Sequence, residues 1–132
     1  MRKYIIILVS IIMIMGLTGC EEQSMSYTQI SMEEAVAMME KETDYIILDV
    51  RTAEEFAGKH IADAINIPNE TIGSEELAEL PDKNQLILVY CRSGNRSKQA
   101  SEKLAALGYT KIYEFGGIND WTGETVSEEL EK

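Results

Sequence analysis

The segment Leu86-Ile87-Leu88-Val89-Tyr90, running directly into Cys91-Arg92-Ser93-Gly94-Asn95-Arg96-Ser97, decides the fold. A short run that is apolar at every position fits a strand covered on both faces, as the strands of parallel sheets are. Residues 97–107 follow with Ala100, Leu104 and Leu107 at helical spacing, and Gly108 is placed to end that helix. Strand, short loop and helix in succession is the unit from which parallel sheets are built. In such sheets ligands sit beyond the carboxyl ends of the strands, which is where Cys91 falls.

Working outward, Tyr45-Ile46-Ile47-Leu48-Asp49-Val50 is a second apolar run of the same kind. Ser31 with Glu34, and Thr52 with Glu55, have the spacing of capping boxes and predict helices after each. Met32, Ala35, Val36 and Met39 share one face of the first, and Phe56 lies in the second, which Gly58 can end. Residues 27–30, 64–67 and 111–115 read as further strands. Ser74 predicts a short helix over 75–80, stopped by Pro81. Gly116-Gly117 predicts a turn, and residues 118–122 a last short helix. The alternation implies an α/β fold: a single domain with a mostly parallel central sheet and helices on both faces.

The chain has 132 residues, enough for one ordinary domain, and a formal charge of −11. That acidity excludes non-specific nucleic-acid binding, which rests on basic phosphate contacts. One histidine and two cysteines are too few for a structural zinc cluster. Arg2 and Lys3 precede about 12 apolar residues, fewer than the roughly 20 a spanning helix needs, so residues 1–19 are expected to be a signal peptide. Leu17-Thr18-Gly19-Cys20 resembles the lipobox of bacterial lipoproteins, in which the cysteine is lipidated and becomes the mature N-terminus. The expected organisation is a leader over 1–19, lipidated Cys20 and a tether over 20–26, a domain over 27–123, and an acidic tail over 124–132 free to fray. Localisation would be the extracytoplasmic face of a bacterial cell membrane. Residues 1–19 hold two of the twelve basic residues and no acid, so the remainder carries 10 against 23, or −13. Cys91 is then the one unlipidated thiol.

The loop after Cys91 suits a nucleophile. A helix N-terminus, Arg92 and Arg96 all favour thiolate over thiol. Gly94 lets the backbone curl so that successive N–H groups converge, as in an anion nest. Residues 90–101 contain Arg92, Arg96 and Lys98 and no acid, a local focus for an anion within an acidic domain.

This loop resembles the active-site loop of the single-domain rhodanese family. Leu48-Asp49-Val50-Arg51, Glu55-Phe56, Gly58, His60-Ile61 and Ala64-Ile65-Asn66-Ile67-Pro68 are similar to the family's first signature. Gly108-Tyr109 and Phe115-Gly116-Gly117-Ile118-Asn119-Asp120-Trp121 resemble its last. The likeness covers about residues 27–123. Asp63 stands where the family often has glycine, and Lys59 separates Gly58 from His60. The resemblance implies a sulfurtransferase. Cys91 would take sulfur from a small anionic donor such as thiosulfate and pass it, as a persulfide, to cyanide, a thiol or a protein cysteine. The N–H groups of residues 92–97, including Ser93, Asn95 and Ser97, would cradle the anion, and Arg92 and Arg96 would orient the donor. No cofactor or metal is implied, the membrane would be met through Cys20, and a monomer is expected.

Other residues divide between support and packing. Asp49 and Arg51 could orient the loop, but a structural ion pair at a strand end, with Glu55 as a further partner of Arg51, is favoured. His60 could be a base, but an ionised thiol needs none, so packing is favoured. Ser97 could serve the cradle or cap the helix. Rival activities are a phosphatase or arsenate reductase, whose loop is one residue longer, and a non-catalytic persulfide- or sulfide-binding or sensing module. A thiol–disulfide oxidoreductase would want a C-x-x-C pair, which is missing.

Overall fold

The computed structural model describes residues 26–128. The elements are β1 (Thr28–Gln29), α1 (Met32–Lys41), β2 (Tyr45–Asp49), α2 (Ala53–Gly58), β3 (His60–Ile61), β4 (Ile65–Asn66), β5 (Leu86–Cys91), α3 (Asn95–Ala106), β6 (Lys111–Gly117) and β7 (Thr125–Val126). Single 3-10 turns cover Asn69–Thr71 and Ile118–Asp120. Five strands form one parallel sheet in the order β1-β6-β5-β2-β4, with β5 at its centre. The α/β fold expected from the alternation is the one observed.

Strand alternation sorts the core into two layers. Ile87, Val89 and Cys91, with Leu48, Val50 and Ile112, point to the face covered by Ala100, Leu104 and Ala105 of α3. Leu88 and Tyr90, with Ile47 and Phe115, point to the other, where Ala35 packs among Met32, Met38 and Met39 of α1. Each fully buried aliphatic side chain contributes about 1.5–3 kcal/mol, so β5 is held from both sides and its end is a fixed platform. Both capping boxes form. Glu34 N donates to Ser31 Oγ at 3.0 Å while Ser31 N donates to Glu34 at 2.8 Å. Thr52 and Glu55 repeat the exchange at 3.2 and 2.9 Å.

Several local expectations are corrected. Residues 75–80 form no helix. Glu75, Glu76 and Glu79 would repel one another at helical spacing, and one turn cannot offset its own nucleation cost. Leu80 is instead drawn into the core, and its carbonyl accepts the Tyr109 hydroxyl at 2.5 Å. Gly116-Gly117 is not a turn. It lies in β6, where the register slips: Val89 pairs with Glu114 but Cys91 with Gly117. Gly116, at φ 98°, supplies the extra residue of this bulge. The helix expected over 118–122 is one 3-10 turn. Thr125–Val126, placed in a fraying tail, pairs antiparallel with β3. Asp63, where the family often has glycine, sits at φ 72°. Short polar side chains tolerate that region better than others do, which accounts for an aspartate there.

Candidate active site

Cys91 is the last residue of the central strand, and α3 begins four residues later at Asn95. Gly94 is the N-cap, in the left-handed region at φ 114°. That conformation turns its N–H back onto Cys91 Sγ, at 3.0 Å. The curl expected of Gly94 is therefore observed, although among the backbone N–H groups of residues 92–97 only that of Gly94 bonds to the sulfur. Cys91 has no exposed surface. Arg92, Ser93 and Asn95 are exposed above it.

The loop is braced from the end of β6 and the 3-10 turn after it. Asn119 N donates to Arg92 O at 3.2 Å. Gly117 lies so close that a Cβ there would come within 2.0 Å of Arg92 O and 2.6 Å of Ser93 N. Gly117→Ala must therefore push the Arg92–Ser93 peptide aside. We expect it to fold, to lose sulfur transfer by about 10²-fold, as misplacing a reacting group by about 1 Å can do, and to change the Cys91 alkylation rate. Wild-type turnover in this variant would show that loop position does not matter.

Ser97 does not cap α3, which starts two residues before it. Its hydroxyl is fully buried, 3.4 Å from Cys91 Sγ, 3.0 Å from Gly94 O and 2.5 Å from Oε2 of Glu114. Of the two roles open to Ser97, the helix cap is excluded and the loop remains.

Arg96 departs from expectation. Both terminal nitrogens bond to Glu55, at 2.8 and 3.1 Å, so the guanidinium is tied to α2 instead of being free to face a donor. Glu55 thus serves Arg96, not Arg51. Arg96's hydrogen bond, with smaller help from Thr52 and against partial burial, lowers the Glu55 carboxyl to about 2. A depressed carboxylate stabilises the fold above its ordinary 4.5 and loses that contribution as pH falls towards 2. The pair is about 30% exposed, so we expect roughly 1 kcal/mol. Unfolding of wild type and Glu55→Gln from pH 6 to 2 checks this, since glutamine keeps the cap. The wild-type advantage should disappear over that interval; an unchanged difference would contradict it.

Asp49 and Arg51 form the structural pair favoured from sequence. Both are buried, with Arg51 reaching Asp49 at 2.7 Å and Lys59 O at 2.6 Å. Tyr90 donates its hydroxyl to Asp49 at 2.6 Å, and the Asn66 amide donates to the carbonyls of Asp49 and Arg51. Burial and the Asp49 bond push the Tyr90 phenol up, which keeps it a donor. His60 stacks on Phe56 at 3.7 Å and donates from Nδ1 to Phe56 O at 2.7 Å. It packs; nothing brings it to Cys91. Beside the loop an open cavity of about 490 Å³ is lined by Arg51, Lys59, Arg92, Ile118 and Trp121 among others.

Residues 31–124 match the Rhodanese-like domain family, well over half of the chain. The chain belongs to the rhodanese-like family. It is 40% identical over 73 residues to the thiosulfate sulfurtransferase PspE of Escherichia coli, covering 55% of this chain and 70% of that one. It is 34% identical over 98 residues to the thiosulfate sulfurtransferase GlpE of Coxiella burnetii, covering 74% and 89%. Among solved structures, one described as a rhodanese with anions from E. coli superposes with a TM-score of 0.57 at 38% identity, over 63% of this chain and 98% of that one.

In this rhodanese-like domain the fold brings Cys91, Gly94 and Ser97 together, leaves Arg92 at the rim, and turns Arg96 away to Glu55. Sequence reasoning missed Glu114. Its signal was present: Ile112 points under α3, so alternation sends Glu114 there too. Cys20 lies outside the described residues. Among those residues, no helix is long and apolar enough to cross a membrane.

Proposed function

We propose that this rhodanese-like protein transfers sulfane sulfur, from thiosulfate or a similar small anion, through a persulfide on Cys91. The observation that carries the reading is Cys91 at the end of the central strand with the Gly94 N–H on its sulfur. The thiolate attacks the outer sulfur of thiosulfate. An S–S bond forms, the bond to the sulfonate sulfur breaks, and sulfite leaves with the electron pair. A thiol or cyanide then attacks the outer sulfur and frees the Cys91 thiolate. Hydrogen bonds from the loop stabilise the sulfur anion at each stage. Arg92, exposed at the cavity rim, is the guanidinium left to meet the donor's oxygens. Because Sγ is covered at rest, exchange requires the exposed stretch 92–93 to part or the side chain to swing towards the cavity. Two names among the relatives, both thiosulfate sulfurtransferases, support the donor class.

Initial rates with thiosulfate and cyanide varied together test this reading. Parallel double-reciprocal lines are expected from a covalent two-step scheme; intersecting lines, or Cys91-dependent hydrolysis of an aryl phosphate at comparable rate, would overturn it.

The leader and Cys20 support a mature lipoprotein held on the extracytoplasmic face of a bacterial membrane, where two or more acyl chains give stable anchoring. Cells fed a fatty-acid analogue should label the wild type and not Cys20→Ala; equal label on both would refute the anchor.

A further inference from the structure

We propose that Glu114 is a positioning residue for Cys91: acting through the Ser97 hydroxyl, it stores the thiol proton, so that the sulfur ionises without exchanging a proton with solvent. This rests on Cys91 being the nucleophile and goes beyond it, to what accepts its proton.

Glu114 occupies a core position. It lies on β6 two residues after buried Ile112, on the face covered by α3, and is 2% exposed. Among the described residues no cation makes an ion pair with it. Its charge is carried by hydrogen bonds alone: Ser97 Oγ at 2.5 Å and Gly116 N at 3.0 Å on Oε2, with the Gln29 amide at 3.5 Å from Oε1. Ser97 has one hydrogen and several acceptors around it: Gly94 O, Gly116 O and Glu114. The carboxylate is the charged and the nearest one, so it takes that hydrogen. The lone pairs of Ser97 Oγ are then left for the Cys91 S–H, 3.4 Å away. The result is a directed chain from thiol to hydroxyl to carboxylate, closed to water at every member.

Thiolate and carboxylate at the two ends of this chain are at most about 6 Å apart, from contacts of 3.4 and 2.5 Å. Two negative charges that close in a buried site disfavour each other, so the pair shares one proton. In the first form the S–H is intact and Glu114 is ionised. In the second the S–H bond has broken, Ser97 has received that proton and released its own to Oε2, and the thiolate accepts from Gly94 N. Both forms carry one negative charge, and no co-reactant is consumed. When the outer sulfur leaves for an acceptor, the freed thiolate can recover the proton by the reverse path.

The charged and titratable groups around this chain come from α2, α3 and the β1 side. Arg96 of α3 lies within electrostatic reach of Cys91 but is held by Glu55 of α2, which its hydrogen bond keeps ionised, with Glu70 beyond. From the β1 side, Tyr27 and Gln29 face Glu114. Burial, then Glu102 and Glu114, raise the Tyr27 phenol above its ordinary 10.0, so it stays neutral.

The test is the rate of Cys91 alkylation by iodoacetamide against pH, followed with ultraviolet thiolate absorbance, in full-length protein. A shared proton makes wild type ionise in two steps separated by a plateau. Glu114→Gln should show one step, the rate falling about tenfold per pH unit below it. Ser97→Ala leaves both ionisable ends in place, so two steps should remain, but it removes the bridge that sets how the single proton divides between them, so the height of the plateau should change; it carries the test if Glu114→Gln does not fold. Glu114→Asp should restore part of the plateau. A single step in wild type, or an unchanged profile in Ser97→Ala, overturns the proposal. Alkylation needs no sulfur donor, so these outcomes are independent of whether a persulfide forms.

Discussion

Cys91→Ser should abolish sulfur transfer, by about 10³-fold or more, while the domain folds as before. The hydroxyl can accept from Gly94 N as the sulfur does, so the loop keeps its curl. What is lost is the polarizable nucleophile, and among the described residues no other thiol can substitute, since Cys91 is their one free cysteine. The assay is thiosulfate turnover, with far-UV circular dichroism and the unfolding midpoint as fold controls. Residual turnover above a tenth of wild type in a folded variant would place the chemistry elsewhere.

Asp49→Ala should cost about 3–5 kcal/mol of stability, because it leaves a buried guanidinium without its counter-charge. Asp49 is fully buried and Arg51 only 5% exposed, so water cannot replace the lost carboxylate. Tyr90 loses its acceptor as well, and the strand end that supports the loop loosens. Domains of this size are stable by some 5–15 kcal/mol, so the urea midpoint should fall sharply. Asp49→Ala with Arg51→Met should recover much of the loss, since the orphaned charge is then gone. A drop below about 1 kcal/mol in the single variant would mean that the pair carries little.

The parts of the fold legible in sequence are those set by local patterns. Leu86–Tyr90, apolar at every position, and Tyr45–Val50, apolar but for Asp49, read as buried strands, and each lies between two covering layers. The capping boxes at Ser31 and Thr52 depend on residues three apart, so they were visible without a fold. The helix over 75–80 failed because it rested on Ser74 as a cap and Pro81 as a stop, while the path of Leu80 is decided by Tyr109 and the core, far away in sequence. Pairing of Thr125–Val126 with β3 was hidden for the same reason: only tertiary contact distinguishes it from a polar tail.

The candidate site divides likewise. The strand, the thiol and Gly94 were legible because the conformation of this loop is local. Partner choice was not. Glu55, expected near Arg51, reaches Arg96, 41 positions away, and Asp49 keeps Arg51 to itself. Ser97 looked like a helix cap because its residue type is common there. The helix in fact starts at Asn95, and only the approach of β6 shows that this hydroxyl faces Cys91 and Glu114.

The most direct measurement is the intact mass of the mature domain after incubation with thiosulfate and removal of excess donor. One added sulfur, about 32 Da, should appear on the Cys91 peptide, vanish on addition of cyanide, and be missing from Cys91→Ser. An unmodified mass in a protein that still turns over thiosulfate would contradict the persulfide, and with it the central role given to Cys91.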